Sequence, residues 1–287
     1  MSVKIIDGRE IAKNLRLKTA KEIEKLKDKY ECNININTIK IGSDPASEIY
    51  LKLREKACRE VGISTSRTEF LGNVTEKEVL DSIKDLNNDK NVHGILVQFP
   101  VPKNISQDKI VNTIDPRKDV EGLTPYNIGN TLIGLENIVP CTPLAVLKIL
   151  EHENIELKGK NIAIVNHSNI VGKPLAALLL NRNATVSICH VFTKDIKPIT
   201  SKADILITAA GVPKLITKDH IKNDALVIDV AITNTVDGIV GDIDFQSVKE
   251  KAAKITPVPG GVGPVTVACS LINMTKTFRN CLDVKDR

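Results

Sequence analysis

The chain has 287 residues, of which 42% are apolar and 26% charged, a balance that excludes a largely disordered protein and predicts two compact domains. Aromatic residues make up only 3%, which argues against a protein that binds single-stranded nucleic acid by stacking bases on aromatic rings. The net charge of +5 is spread along the chain without a basic block, so it mildly favours an anionic ligand and indicates nothing stronger.

The sequence predicts neither export nor membrane insertion. Lys4, Asp7 and Arg9 interrupt the first residues, so we expect no secretory signal, and no uncharged apolar stretch approaches the about 18–20 residues of a transmembrane helix. The six cysteines are far apart, with no Cys-x-x-Cys and no histidine cluster beside them. We therefore expect reduced thiols, a cytoplasmic protein and no metal site.

Helix and strand patterns alternate over the first 120 residues. Apolar residues at helical spacing predict a helix over 12–30, and the Ile- and Thr-rich run over 34–41 predicts a strand. Asp44-Pro45 predicts the start of a second helix that runs to about Val61 and stops at Gly62. The same series continues with the capping box Thr75-x-x-Glu78 and a buried strand from Gly94 to Phe99.

The segment from Asp115 to Pro143 concentrates glycine and proline, so the domain boundary is placed there. We expect residues 1–142 to form a first, βαβ domain, completed by the amphipathic C-terminal helix 266–287, and residues 143–265 to form a second. The second domain shows strand patterns at 161–166, 184–189, 204–208 and 225–230, with a helix over 174–180. The predicted fold class is therefore α/β, with a Rossmann-like parallel sheet whose strand carboxyl ends bind ligands at one edge.

The helix after Asp44 presents the first candidate site. Tyr50 and Arg54 are four residues apart and so lie on the same face. The predicted core stripe of this helix is Ala46, Ile49, Leu53 and Ala57. This places Tyr50 and Arg54 beside the interior but not in it, and an ordinary amphipathic helix with a solvated arginine is the simpler alternative.

Two further candidates lie at the end of the first series. Gln98 ends an apolar strand, where either a ligand or the loop backbone would satisfy its amide. Asp119-Val120-Glu121-Gly122 offers two carboxylates and a glycine that permits close backbone approach, or else is simply an acidic turn.

A loop between a strand and a helix, from Asn166 to Pro174, occupies the place where dinucleotide folds bind a pyrophosphate at the helix N-terminus. Only Gly172 represents the usual glycine-rich motif, so a plain connection is an equal alternative. The next strand ends at Cys189-His190-Val191-Phe192-Thr193, without the carboxylate that usually binds the ribose of NAD. The run from Pro257 to Pro264, with three prolines and three glycines, is either part of a binding wall between the domains or a structural turn.

Taken in order, these stretches resemble the bifunctional methylenetetrahydrofolate dehydrogenase/methenyltetrahydrofolate cyclohydrolase family. The resemblance runs from Ile6-Asp7-Gly8 to the C-terminal helix, essentially the whole chain. Its most specific segments are Gly94–Pro102, Pro140–Pro143, Ser168–Pro174 and Thr256–Pro264.

The resemblance implies a two-domain enzyme, commonly a homodimer, with a cleft between the domains. It binds a tetrahydrofolate derivative as substrate and NADP, or less often NAD, as cofactor, and no nucleic acid or membrane. The dehydrogenase step passes hydride from the folate methylene group to nicotinamide. The cyclohydrolase step then adds water to the methenyl product, which gives formyltetrahydrofolate.

The resemblance also implies roles for individual residues. The catalytic positions are Arg54, Gln98 and Glu121. The substrate-binding positions are Tyr50, Gln98, Glu121, Pro259, Gly260, Gly263 and Pro264. The cofactor-binding positions are Asn166, His167, Ser168, Ile170, Val171, Gly172, His190, Thr193, Gly211 and Ile232. Cys141 and Cys189 also match family positions, and both are interpreted as structural.

Arg54 is the first departure from the family, whose helix motif Tyr-x-x-x-Lys has the catalytic lysine of the cyclohydrolase at this position. Hydride transfer needs orientation but no side-chain proton acceptor. Attack by water needs a positioned acid or base, which contributes about 10²–10⁴-fold. A lysine can serve because its pKa shifts readily, whereas arginine stays protonated. We therefore expect the dehydrogenase to be retained and the cyclohydrolase to be weakened.

The other departures lie at Glu121, which replaces an aspartate, and at Asn166-His167-Ser168, where the family has Gly-Arg-Ser. Glu121 keeps the carboxylate, so pterin binding should survive with altered geometry, and the longer side chain is a candidate partner for Arg54. His167 replaces the arginine that would hold the 2′-phosphate of NADP, and Val191 replaces a frequent serine. We expect reduced discrimination between NADP and NAD, with NADP binding better at lower pH.

Two alternative functions stay open. One is a monofunctional methylenetetrahydrofolate dehydrogenase. The other is a catalytically degenerate folate- or nucleotide-binding protein, which the three altered positions make conceivable. The persistence of Tyr50, Gln98, Ser168, Gly172 and the Pro/Gly loop argues against it.

Overall fold

The computed structural model of the protein describes residues 3–236 and 238–282, with the side chains of residues 45 and 46 excepted. The strands are β1 (Lys4–Ile5), β2 (Asn35–Ile41), β3 (Ser64–Phe70), β4 (Gly94–Val97), β5 (Asn161–Val165), β6 (Thr185–Cys189), β7 (Ile205–Thr208), β8 (Leu226–Asp229), β9 (Thr233–Thr235), β10 (Gly238–Val240) and β11 (Lys254–Ile255). The helices are α1 (Gly8–Tyr30), α2 (Pro45–Glu60), α3 (Glu76–Asn88), α4 (Gln107–Thr113), α5 (Pro125–Leu132), α6 (Cys141–His152), α7 (Gly172–Leu180), α8 (Lys197–Thr200), α9 (Phe245–Val248) and α10 (Val262–Leu282). No helix among the described residues is long and apolar enough to cross a membrane.

The chain divides into two compact units, which are described separately. One, the three-stranded unit, comprises residues 14–130, 136–141 and those from Val267 onward. The other, the six-stranded unit, comprises residues 1–13, 131–135 and 142–266. The first thirteen residues therefore do not belong to the unit in which the sequence analysis placed them. The reason is that β1 pairs in parallel with β11, and Ile6 N–H donates to the carbonyl of Ile255.

The three-stranded unit is built on a parallel sheet in the order β3-β2-β4. Its helix starts follow the predicted signals. Asp44 accepts a hydrogen bond from Ser47 N–H at 2.8 Å at the start of α2, and Thr75 and Glu78 form the capping box of α3. Gly62, with φ of +85°, ends α2 as expected. The C-terminal helix α10 packs Leu271, Met274 and Phe278 into the core of this unit, whereas residues 283–287 of the predicted helix lie outside the described residues.

The six-stranded unit is a parallel sheet in the order β1-β11-β8-β7-β5-β6. The predicted strands appear as β5, β6, β7 and β8, and the apolar side chains of β5, β7 and β8 are almost completely buried. Parallel pairing brings the carboxyl ends of these strands to one edge, as expected of a nucleotide-binding sheet. The α/β fold class is confirmed.

The sequence patterns did not predict several of the observed elements. Strand β3 has the sequence Ser-Thr-Ser-Arg-Thr-Glu-Phe and lies at the edge of its sheet, so it needs little apolar surface and shows no apolar run. Helix α5 lies wholly, and helix α6 partly, within the Gly- and Pro-rich segment that was predicted to be the domain boundary. The segment can be helical because the proline of each helix lies in its first turn, where proline is tolerated. The antiparallel pair β9-β10 is separate from both main sheets.

Candidate active site

The face of α2 that carries Arg54 is buried, so the predicted orientation of this helix is wrong. Leu51 and Cys58 are fully buried and Arg54 is only 4% exposed, whereas Ile49 and Leu53 are 64% and 57% exposed. The buried stripe contains Ser47, Leu51, Arg54, Cys58 and Val61, at alternating steps of four and three residues. A serine and an arginine in that stripe made it look polar in the sequence.

Two side chains satisfy or balance the buried guanidinium in part. Nη2 of Arg54 donates a hydrogen bond of 3.1 Å to Tyr50 Oη, and the guanidinium carbon lies 4.9 Å from the centre of the Tyr50 ring. Nη1 lies 2.8 Å from Glu121 Oε1, but off the line of a hydrogen bond, so this contact is an ion pair. Within the described residues, Arg54 Nε and Nη1 have no hydrogen-bond acceptor. The guanidinium is therefore a buried cation with unused donors.

The electrostatics of this cluster keep Arg54 positively charged. Burial disfavours its charge, but Tyr50 and Glu121 outweigh that effect, so the pKa of Arg54 lies above its ordinary value. Burial raises the pKa of Tyr50, and burial raises the pKa of the Cys141 thiol well above its ordinary value. Neither Arg54 nor its neighbours Tyr50 and Cys141 offers a base that could take a proton from water near neutral pH.

Of the two carboxylates in the predicted acidic turn, one is structural and one faces Arg54. Asp119 is buried and accepts hydrogen bonds from Gly122 N–H, Thr124 N–H and Asn127 Nδ2 at 2.8–2.9 Å. Gly122 has φ of +71°, and a side chain there would lie 2.7 Å from the backbone of the segment before Cys141. This tight turn fixes the backbone that presents Glu121.

Gln98 lies where β4 ends and is half-buried. Its Nε2 donates a 2.7 Å hydrogen bond to the carbonyl of Phe99, which is the loop-backbone alternative that the sequence left open. No described residue donates a hydrogen bond to its Oε1, so this acceptor is unused. No hydrogen bond or ion pair between described residues joins Gln98 to Tyr50, Arg54 or Glu121.

Sequence reasoning missed Asn273, on the buried face of α10. Its Nδ2 donates to the carbonyls of Val120 and Val139 at 2.9 and 2.8 Å, and lies 3.5 Å from the sulfur of Cys141. These contacts tie the chain on both sides of Glu121 to the C-terminal helix. Because Ser270 and Thr277 on this helix are buried as well, the sequence pattern gave no signal that distinguished Asn273.

In the six-stranded unit, the loop after β5 contains the predicted cofactor residues Asn166 to Gly172. Here the first N–H groups of α7 are already used: Gly172 N–H donates to Asn166 Oδ1 at 3.0 Å, and Lys173 N–H to the Ser168 carbonyl at 3.1 Å. Pro174 has no N–H. These two N–H groups are therefore engaged within the loop, and the helix dipole favours an anion at this end of α7.

At the end of the neighbouring β6, His190 lies next to His167, with ring centres 4.8 Å apart. The backbone N–H of Phe192 donates to His190 Nδ1, and His190 N–H donates to Thr193 Oγ1. Val191 and Phe192 are 84% and 82% exposed. The structure thus brings together three of the predicted cofactor residues, His167, His190 and Thr193, beside an exposed apolar tip.

The loops after β7 and β8 are fixed by two aspartates that the sequence analysis did not single out. Asp242 accepts hydrogen bonds from Thr208 Oγ1, Ala210 N–H and Val212 N–H at 2.6–2.8 Å and so clamps the turn around Gly211. Asp229 accepts from Ala231 N–H and Ile243 N–H at 3.1 and 2.9 Å. Burial raises the pKa of Asp229 to about 6.

The remaining predicted residues lie in this same unit. Ile232 follows β8 and is exposed, and its side chain lies 3.5 Å from the position a Cβ of Gly263 would take. Gly211, with φ of +72°, faces open space. The Pro/Gly loop contacts the N-terminal segment, where Gly8 N–H donates to the Gly260 carbonyl at 3.0 Å. Open glycine turns and exposed apolar groups at successive strand ends fit an extended dinucleotide.

These features define an α/β protein with the sheet edge of a nucleotide-binding fold in one unit and a Tyr–Arg–Glu cluster around a buried arginine in the other. The sequence profile of the tetrahydrofolate dehydrogenase/cyclohydrolase catalytic domain matches residues 6–121, and that of the NAD(P)-binding domain of the same enzymes matches residues 140–282. The chain belongs to the tetrahydrofolate dehydrogenase/cyclohydrolase family. The resemblance inferred from the sequence is confirmed.

Individual relatives are similar to this chain over nearly its full length. The bifunctional protein FolD of Methanococcoides burtonii is 47% identical over 267 residues, which cover 93% of each chain. The crystal structure of the bifunctional enzyme FolD from Campylobacter jejuni has a TM-score of 0.94 and 43% identity, covering 97% of this chain and 99% of that one. The Trypanosoma brucei enzyme, solved with NADP and an inhibitor, has a TM-score of 0.93 and 36% identity, covering 98% and 99%.

Proposed function

We propose that this protein is a methylenetetrahydrofolate dehydrogenase of the bifunctional family that uses NADP or NAD, and that its cyclohydrolase step is weakened. The family membership supports both activities as the starting point. The observation that carries the finer proposal is the buried, permanently charged Arg54 between Tyr50 and Glu121.

On the folate side, we assign Tyr50 to stacking against the flat pterin and Glu121 to hydrogen bonding with its polar edge. Gln98 fits a role in orienting the substrate, because its Oε1 acceptor is unused among the described residues while Nε2 is held by the Phe99 carbonyl. Pro259, Gly260, Gly263 and Pro264 remain proposed substrate contacts of the Pro/Gly loop.

The hydride step places modest demands on the protein. The nicotinamide of the bound cofactor accepts the hydride, so the side chains have only to orient the folate and balance changing charge. Arg54 can donate hydrogen bonds from Nε and Nη1, which have no acceptor among the described residues. A fixed cation with free donors suits that role.

The hydrolytic step demands more. A water molecule that attacks the methenyl carbon must lose a proton, and Arg54 holds all of its protons at any working pH because its pKa lies above the ordinary value. Neither Tyr50 nor Cys141 can replace a lysine here, since burial raises the pKa of both. This is why we assign the loss to the hydrolytic step and not to hydride transfer.

On the nucleotide side, we propose that His167, Ser168, Ile170, Val171, Gly172, His190, Thr193, Gly211 and Ile232 contact the cofactor. Their position at consecutive strand ends of the six-stranded sheet supports this. His167 offers no permanent charge to a 2′-phosphate, so we propose weak discrimination between NADP and NAD.

We further propose a homodimer that works in the cytoplasm, with the folate bound by the three-stranded unit and the nucleotide by residues within 143–265. All six cysteines are free thiols, which agrees with a reducing compartment.

The test is one assay with two readouts. Purified protein is mixed with methylenetetrahydrofolate and either NAD or NADP, and the reduced cofactor and the methenyl product are followed separately. The proposal expects reduction with accumulating methenyl product. Reduction without accumulation would mean a fully bifunctional enzyme, and no reduction with either cofactor would mean a binding protein only.

A further inference from the structure

Asn166 has more hydrogen bonds than any neighbouring residue of the loop after β5. Its Oδ1 accepts from Ser168 N–H and Ser168 Oγ at 2.8 Å each, and from Gly172 N–H at 3.0 Å. Its Nδ2 donates to the carbonyl of Ala209 at 2.7 Å. One side chain thus joins the end of β5, the loop, the first turn of α7 and the end of β7.

The orientation of this amide follows from its partners. The Ala209 carbonyl can only accept, so the NH₂ group must face it, and the oxygen must face the loop. Ser168 extends the arrangement, because its Oγ accepts from Val171 N–H at 3.1 Å. The side chain of Val171, the residue just before α7, makes no capping bond; Asn166 and Ser168 cap the helix from upstream.

The start of α7 lies against Asn166, and this close approach requires a glycine at position 172. A Cβ on Gly172 would lie 2.1 Å from the backbone oxygen of Asn166 and 2.8 Å from its Oδ1, so the start of α7 rests directly on this residue. Beyond Ala209, the next N–H groups of the β7 loop are held by Asp242. Asn166 therefore links the loop of His167 and Ser168 to the loop of Gly211.

From this geometry we infer that Asn166 is a positioning residue, which preforms the cofactor loop before the nucleotide binds. The inference rests on the proposed function, because it assigns the loop to the nicotinamide nucleotide. Without the amide, Ser168 and Gly172 N–H would turn to water and the loop would sample more conformations. The nucleotide would then have to order the loop on binding, which lowers affinity without touching the chemical step.

The family pattern has a glycine at this position, so Asn166→Gly introduces the family's residue type and removes all four hydrogen bonds. We expect the KM for both NAD and NADP to rise about tenfold, with kcat and the folate KM changed by less than about twofold. The matched control is Asn169→Gly in the same loop, since Asn169 is exposed and its side chain accepts only from Lys173 Nζ. It should leave all three constants unchanged.

A readout without cofactor tests the loop directly. In hydrogen–deuterium exchange of the free protein, peptides that cover residues 167–173 should exchange about tenfold faster in Asn166→Gly than in the wild type. Asn166→Asp keeps the acceptor oxygen but places its second oxygen against the Ala209 carbonyl, so these amides should exchange more slowly than in Asn166→Gly and faster than in the wild type. If Asn166→Gly fails to fold, the comparison of Asn166→Asp with Asn166→Ala, which lacks the acceptor, carries the same test.

The outcomes separate this inference from the proposed function. Unchanged exchange of residues 167–173 in Asn166→Gly overturns the positioning role, as does a fall in kcat at unchanged nucleotide KM. Equal exchange in Asn166→Asp and Asn166→Gly also overturns it. A wild type that reduces neither NAD nor NADP would refute the proposed function, while faster exchange in Asn166→Gly would still support a loop held by Asn166.

Discussion

Nη1 of Arg54 lies 2.8 Å from the carboxylate of Glu121, so two of the positions at which the chain departs from its family are in contact. An aspartate at position 121 would end one methylene earlier, and a lysine at position 54 would present a single ammonium group in place of a planar fork. We therefore expect the longer acid and the larger cation to depend on each other. This contact is the physical basis for testing the two changes together.

The first prediction concerns the hydrolytic step. Arg54→Lys should raise the rate of methenyltetrahydrofolate hydrolysis by about 100-fold, because lysine can release and accept a proton. The dehydrogenase rate should change little. The decay of the methenyl absorbance measures the effect, with an enzyme-free sample to subtract spontaneous hydrolysis. A wild type that already hydrolyses the methenyl product as fast as it forms would contradict this prediction.

The second prediction concerns the pairing itself. Glu121→Asp alone should raise the folate KM, because the shortened carboxylate moves away from Arg54. The same substitution in an Arg54→Lys background should be less harmful, with a coupling energy of about 1 kcal/mol in a double-mutant cycle. Dehydrogenase kinetics of the four proteins give the cycle. Better folate affinity of Glu121→Asp in the Arg54 background would refute the pairing.

The third prediction is a loss of stability. Glu121→Gln leaves the buried Arg54 cation without its counter-ion, which should lower the free energy of unfolding by about 2 kcal/mol. Urea denaturation measures the change. Glu69→Gln is the matched control, since Glu69 pairs with Arg67 in a largely exposed position and should cost less than about 0.5 kcal/mol. Equal losses in the two variants would mean that Arg54 does not depend on Glu121.

The site shows which features a single sequence can reveal. Caps at Asp44 and Thr75 were predictable because each uses contacts within one turn of helix. The face of α2 was not, because apolar residues point outward at Ile49 while an arginine points inward. Burial of Arg54 depends on Glu121, which is 67 positions away in the chain and comes close only in the fold.

The nucleotide loops give a similar result. The position of these loops at one edge of the sheet was predictable from the strand–loop–helix order, and parallel sheets commonly bind ligands at that edge. The residues that hold them, Asn166 and Asp242, make contacts to chain segments 43 and about 30 residues away. An asparagine or an aspartate in a loop has many ordinary explanations, and only the hydrogen-bond partners distinguish a positioning residue from a turn former.

The fourth prediction concerns the choice of cofactor. His167→Arg should raise kcat/KM for NADP relative to NAD by about tenfold, because arginine binds phosphate with a permanent charge and a planar fork. His152→Arg, an exposed substitution at the end of α6, is the control. A ratio that is unchanged in His167→Arg would contradict this role of His167.

The fifth prediction uses the buried carboxylate of Asp229. Burial, with a further contribution from the charge of Asp242, raises its pKa to about 6 from an ordinary 3.8. The folded chain therefore holds a proton here more tightly than the unfolded chain does. Between pH 4 and pH 6 the contribution of Asp229 to the free energy of unfolding therefore falls as the pH rises. Above about pH 6 this contribution of about 3 kcal/mol is lost completely.

Asp229→Asn abolishes this titration while leaving a side-chain oxygen for Ala231 N–H or Ile243 N–H. The stability of the variant relative to the wild type should therefore increase steadily from pH 4 to pH 6 and then stay constant, as measured by urea denaturation at a series of pH values. Asp204→Asn is the control of opposite sign: the hydrogen bond from Lys222 lowers the pKa of Asp204, so that side chain stabilises the fold above its unfolded pKa and loses this effect as the pH falls. Parallel pH profiles of wild type and Asp229→Asn would mean that the Asp229 carboxylate is ionised in the folded protein across this range, with its backbone hydrogen bonds outweighing its burial.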